Sequence, residues 1–132
     1  LAGSIAQLFL KKQGINCAAY VSRVGALSVT KSYSQLDLKQ TDGNIVRCPD
    51  NATANKMQDL IEEVKKKCDT IGGVITGVVT GCPVGLGDPV YDKLHADLGK
   101  AMLSINAVKG FEIYERQGFG AWYYSAKALG LI

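Results

Sequence analysis

The segment TIGGVITGVVTG, Thr70 to Gly81, constrains the fold of this chain more than any other. Isoleucine, valine and threonine fill it. Such β-branched residues lose side-chain freedom in a helix but fit the pleated surface of a strand. It lies between two segments of helical periodicity, so the strand it predicts has a helix on either side in sequence. Glycine recurs at positions 72, 73, 77 and 81, and the last three fall on one face of a strand. That spacing predicts that something large, a helix or another backbone, approaches the face closely.

The flanking sequence extends the pattern. Leu1 to Lys12 sets Ala2, Ile5, Ala6, Leu8 and Phe9 on one helical face and stops at Gly14. Asn16 to Leu27 reads as a strand, residues 32–42 as a polar connection of undefined form, and NIVRCPD as a short extended piece ending at Pro49. Asp50 or Asn51 is the expected N-cap of a second helix, whose inner face carries Met57, Leu60, Ile61 and Val64. A third helix is predicted from about Val90 to Ser104, with Tyr91, Leu94, Leu98, Ala101, Met102 and Ile105 inside, and a strand from Ala107 to Glu115. The order is α-β-α-β-α-β in a single domain over residues 1–132, a layered sandwich of sheet and helices.

Composition narrows the function classes. Apolar residues make up 47% and charged residues 20%, the balance of an ordinary globular domain. The net charge of +3 is small and dispersed. The run Lys65-Lys66-Lys67 closes a helix, where cations complement the dipole, so no nucleic-acid partner is expected. No run approaches the ~20 apolar residues of a membrane span, and no basic-then-apolar secretory signal opens the chain. The first residues form a helix already under way, without methionine, which points to a segment of a longer protein. Cys17, Cys48, Cys68 and Cys82 are far apart, and His95 is the one histidine. That inventory predicts no metal site but buried, reduced thiols suited to the cytoplasm.

Motifs that carry chemistry are scarce. GCPVGLGDP fits neither G-x-x-x-x-G-K-[ST] nor G-x-G-x-x-G. Asp88 before Pro89 reads as the N-cap and first residue of the third helix, with a carboxylate where an anion would otherwise sit. The loop is therefore expected to turn a corner rather than cradle a phosphate. His95 admits two readings, a boundary side chain with an ordinary hydrogen bond or a general acid–base near Asp92. Arg23 and Arg47 interrupt apolar extended segments, each for an intrachain salt bridge or for an anion. Tyr20, Tyr33 and Tyr91 are assigned to packing. No serine, cysteine or lysine has an adjacent base to activate it.

The segments NIVRCPD, DTIGGVITGVV and PVGLGDPVYDKLHADLGKAMLSINAVKGFE together resemble the chorismate synthase family, collinearly from Leu1 to about Ile113. The resemblance implies an α+β fold, the layered β-α-β sandwich of that family, incomplete in this chain and with a divergent tail from about residue 114. It implies a carbon–oxygen lyase of the shikimate pathway that converts 5-enolpyruvylshikimate 3-phosphate to chorismate and phosphate by anti-1,4-elimination. The family is a flavoprotein that requires reduced FMN, is associated with NADPH, and forms a homotetramer. Its two catalytic histidines, its substrate arginines and its R-S-S-A-R-E-type motif would lie before Leu1, and its assisting aspartate beyond Ile132. His95 matches neither histidine. No catalytic, metal or cofactor-binding residue is therefore assigned here, and the isolated chain is expected to be inactive. The alternative is a non-catalytic structural or self-association module, with Trp122, Tyr123 and Tyr124 as contacts. A third option is a binder retaining a remnant flavin pocket. Gly118-Phe119-Gly120 only loosely echoes the family's glycine-rich turn.

Overall fold

Alternating β-branched and small residues place three of the long strands, and the computed structural model, which describes residues 1–115 and 121–128, arranges five strands in one antiparallel sheet. In chain order these are β1 (Asn16–Val24), β2 (Leu27–Ser28), β3 (Gly73–Thr80), β4 (Val108–Glu115) and β5 (Ala121–Ala128). Their spatial order is β2-β1-β3-β5-β4. The glycine-punctuated β3 is central, paired along its length with β1 on one side and β5 on the other. β5 inserts between β3 and β4 and leaves β4 at the edge. Three helices, α1 (Ala2–Lys12), α2 (Asn51–Lys66) and α3 (Leu94–Leu103), complete an α+β fold.

The predicted single strand Asn16 to Leu27 is two. Gly25 adopts φ 54 and donates its N–H to the Gly72 carbonyl at 2.8 Å, so the chain turns and β2 pairs back on β1. A side chain at Gly25 would collide with Ile71, which is why glycine occupies the corner. β1 carries a bulge at Ser22, between the Val21 and Arg23 pairs. There the Ser22 hydroxyl donates to the Val74 carbonyl (3.2 Å) and accepts from the Thr76 hydroxyl (2.8 Å), using polar capacity that the interrupted ladder leaves open. The close approach expected along the glycine face of β3 is made by backbone. A Cβ on Gly73 would lie 2.7 Å from the Arg23 carbonyl oxygen, and one on Gly81 would overlap the Gly14 carbonyl.

The undefined connection consists of two 3-10 turns, Tyr33–Gln35 and Leu38–Gly43. Ser32 and Gln35 cap the first reciprocally, and the Asp37 carboxylate accepts from the Lys39 N–H in the second. NIVRCPD is not extended. It is a turn, bent by Arg47 at φ 58.

Asp50, one of the two expected caps, starts α2 by accepting from the Thr53 N–H at 3.1 Å. The helix buries Ala54 and Met57, half-buries Leu60 and Val64, and leaves Ile61 outward, so its inner face is rotated toward Ala54 from the one predicted. Met57, Cys48, Ala54 and Val24 form the core cluster, with Val21, Leu27, Val29, Val46 and Ile71 packed around it. Tyr20, Val74 and Val78 are buried on the sheet itself.

α3 begins four residues later than predicted. Leu94, Leu98 and Met102 are half-buried, whereas Tyr91, Ala101 and Ile105 are exposed. Gly99 supplies the close contact instead, set against the Phe111 ring of β4. α1 has the periodicity expected of it but buries none of its side chains. Trp122, Tyr123 and Tyr124 lie on the β5 backbone with side chains outside the described residues, as does Gly118-Phe119-Gly120.

Candidate functional site

The turn after the second 3-10 segment is pinned from three directions. The Asn44 side chain accepts from the Cys48 N–H (3.1 Å) and donates to the Cys48 carbonyl (2.7 Å), closing the loop with one amide. The Arg47 N–H donates to the Asn44 carbonyl at 3.1 Å, and the Arg47 carbonyl accepts from Val21 of β1 at 3.0 Å. These bonds hold Arg47 at positive φ, a conformation an arginine does not adopt without external support. Its guanidinium faces Asp42 at 3.7 Å, both side chains well exposed, across an open recess of about 750 Å³ lined by Asp42, Gly43, Asn44, Ile45 and Arg47. The intrachain reading of Arg47 thus has a partner, although a pair so solvated contributes little. Arg23 is exposed beside the β1 bulge and makes no ion pair among the described residues.

The glycine loop departs from its prediction. Asp88 and Pro89 do not open α3. The Asp88 N–H instead donates to the Asp92 carbonyl at 2.8 Å, and Gly87 bridges Lys93, closing a small loop whose end is Lys93, the N-cap. Val90 at φ 83 lies outside helical space and explains why the helix waits for Leu94. Gly81, Gly85 and Gly87 all have positive φ. The carboxylates of Asp88 and Asp92 in the loop, and of Asp97 in the first turn of α3, put negative charge where an incoming anion would need positive. His95 is exposed on that first turn and makes no hydrogen bond or ion pair among the described residues.

The thiols divide by burial. Cys48 is fully buried, Cys17 and Cys82 are half-buried, and Cys68 is exposed, so the expectation of four buried thiols holds for one of them outright. Burial raises the Cys17 thiol above its ordinary value, and neighbouring Cys82 adds to the effect. Burial likewise raises Cys48, partly offset by a hydrogen bond with the Asp50 main chain. Neither thiol is therefore a thiolate nucleophile at neutral pH. Tyr20 is buried, with its phenol pKa raised by desolvation, and Tyr33 is half-buried, so both pack; Tyr91 does not. Among the described residues no group of histidine, cysteine, aspartate and glutamate could hold a metal ion.

Sequence reasoning missed the Asn44 clamp and the double duty of Asp50. Besides capping α2, Asp50 pairs with Lys31 at 2.7 Å, which ties the strand exit to the helix start. That ion pair, with two hydrogen bonds from Thr53, holds the carboxyl at about 2. The signal for the cap was present in Asp50-Asn51-Ala52-Thr53. Nothing local pointed to Lys31, because the pairing spans nineteen residues.

Comparison with known proteins supplies what the local geometry does not. The sequence model of the family described as chorismate synthase matches residues 1–127, further along the chain than the resemblance ending near Ile113. The chorismate synthase of Cytophaga hutchinsonii is 58% identical over 111 residues, 84% of this chain and 31% of that protein. That of Parabacteroides distasonis is 56% identical over 124 residues, covering 94% and 34%. That of Flavobacterium psychrophilum is 52% identical over 130 residues, covering 98% and 34%. A crystal structure of chorismate synthase superposes with a TM-score of 0.75 at 26% identity, over 84% of this chain and 37% of that one. The chain spans about a third of the length of these curated relatives.

Proposed function

The chain belongs to the chorismate synthase family, and from that premise we propose that it supplies a scaffold segment of an enzyme that converts 5-enolpyruvylshikimate 3-phosphate to chorismate and phosphate. The observation that carries the reading is the family match over residues 1–127, with relatives more than half identical. In the elimination a C–O and a C–H bond break: phosphate leaves with the C–O electron pair, the proton passes to a base, and the C–H electron pair forms a new ring double bond as the existing one shifts. The group the family implies is reduced FMN, which brings a phosphate and an apolar ring system. The described residues do not fit it by themselves. The Arg47 recess is open and its one guanidinium already faces Asp42, while the glycine loop sets the carboxylates of Asp88 and Asp92 next to its one cation, Lys93.

The proposed contribution of this chain is positional. The core under β1 and β3 holds the sheet, and the sheet in turn fixes where α1, the Arg47 turn and the α3–β4 junction stand. A substrate carrying a phosphate and carboxylates needs several cations to offset its desolvation. The reading therefore places catalysis in parts of the longer enzyme, leaves the isolated chain inactive, and gives the longer enzyme the family's homotetramer, NADPH-linked flavin reduction and cytoplasmic location. Two assays test it. The 132-residue chain with reduced FMN and substrate should form no chorismate; measurable turnover would overturn the scaffold role. The 130 matched residues exchanged into the Flavobacterium psychrophilum enzyme should support chorismate formation, and a folded but inactive exchange would count against the segment reading.

A further inference from the structure

The basic residues are dispersed along the sequence, but the strand registers gather three of them. Ser28 of β2, Arg23 of β1, Val74 of β3, Lys127 of β5 and Gly110 of β4 stand opposite one another in one row across the sheet. Directly opposed residues of an antiparallel sheet share a face, so the row lies on one side of it. That side is turned away from the Met57 core, because Val24 and Leu27, the next pair along, pack into the core. The bulges of β1 and β4 both fall on this row, with Ser22 just before Arg23 and Lys109 just before Gly110. A bulge bends its strand and re-aims the side chains beside it. Arg23 and Lys109 are exposed, and Arg23 makes no ion pair among the described residues. The row and its bulges thus bring together Arg23, Lys109 and Lys127 and contain no carboxylate. The acidic residue that follows on this face of β4 is Glu112, opposite Ser125, which leaves the cations in excess.

We propose that this row is a binding site for a diphosphate group. Strands in a sheet lie about 4.8 Å apart, so Arg23 and Lys127, on either side of β3, are roughly 10 Å apart at the backbone. A gap of that width between an arginine and a lysine suits an anion with two linked charged groups, since a single charge leaves one cation unmatched. Arginine supplies a fork of donors matched to phosphoryl oxygens, and lysine a point charge. Ser28, exposed beside Arg23, adds a hydroxyl donor. The Ser22 hydroxyl is already committed to Val74 and Thr76, and its part is to hold the bulge that presents Arg23. The site stands on strands of the sheet rather than on a loop, so its spacing is fixed before the ligand arrives. It is independent of the elimination reaction and of the flavin.

The test is a titration of the 132-residue chain with inorganic pyrophosphate at low ionic strength, followed by backbone amide NMR shifts. The amides of Arg23, Val74, Gly110 and Lys127 should shift saturably, and added sodium chloride should weaken the binding. Replacing both cations, Arg23→Gln with Lys127→Gln, should weaken it by at least about tenfold, whereas Lys65→Gln in the helix-end run should leave it unchanged. Shifts that never saturate, or that centre on residues 65–67, would overturn the proposal. So would a folded double variant that binds as tightly as the parent. If the double variant does not fold, Arg23→Gln alone decides, since unchanged binding sinks the idea and weakened binding upholds it. A parallel titration with ADP identifies the source of the group. Tighter binding than pyrophosphate assigns it to a nucleotide, and equal or weaker binding to free diphosphate, both upholding the row. Chorismate formation plays no part in the readout, so failure of the catalytic reading leaves this result interpretable.

Discussion

Asp50 shows how one side chain can join two elements, and how that appears in a titration. Lys31 and Thr53 lower its carboxyl from the ordinary 3.8 to about 2, the Lys31 hydrogen bond being the largest cause. Because the folded value lies below the unfolded one, the contribution is complete above about pH 4 and is lost as pH falls toward 2. Asp50→Ala should lower the thermal midpoint at neutral pH by a few degrees and flatten the acid limb between pH 4 and 2, read from melts across that range. Glu63, lowered by its exposed partner Lys67, adds to the same limb only weakly. Asn44 works through main chain instead. Asn44→Ala leaves both polar groups of buried Cys48 without their present partner, so denaturant unfolding should show a loss of about 1–3 kcal/mol. Asp50 was legible as a cap from its neighbours; Asn44 was not, because an asparagine before a short apolar run reads equally well as any turn.

Among the elements, β3 and α2 were the most legible and the glycine loop the least. The β-branched run and the 3.6-residue stripe each depend on neighbours within a few positions, so periodicity locates them. The start of α3 depends on the Gly87–Lys93 bridge and on Val90 at φ 83, neither of which follows from Asp88-Pro89, a pair that initiates turns as readily as helices. The same loop separates two glycines with different reasons to exist. Gly81→Ala meets both positive φ and the Gly14 carbonyl, whereas Gly85→Ala meets positive φ with nothing within 4 Å. Thermal unfolding should place the Gly81→Ala loss above about 2 kcal/mol and the Gly85→Ala loss nearer 1 kcal/mol.

For the molecule as a whole, similar apolar side chains have unequal consequences. Met57→Ala removes a fully buried side chain at the centre of the core and should cost about 2–5 kcal/mol. Leu8→Ala removes a side chain 63% exposed in this chain and should change its stability by no more than about 0.5 kcal/mol, both read from denaturant midpoints. Periodicity alone assigned the two residues to equivalent inner faces. What the sequence determined by itself was the identity and order of α1, α2, β3, α3 and β4 and, through many residue types fixed in one order, membership of a family. What only the tertiary structure decided was which apolar face is buried within this chain and that β5 lies between β3 and β4. The division has a physical cause. Helix and strand periods are set by neighbours a few residues apart, whereas burial, strand order and the meeting of catalytic groups depend on residues far apart in the chain, which no local pattern encodes.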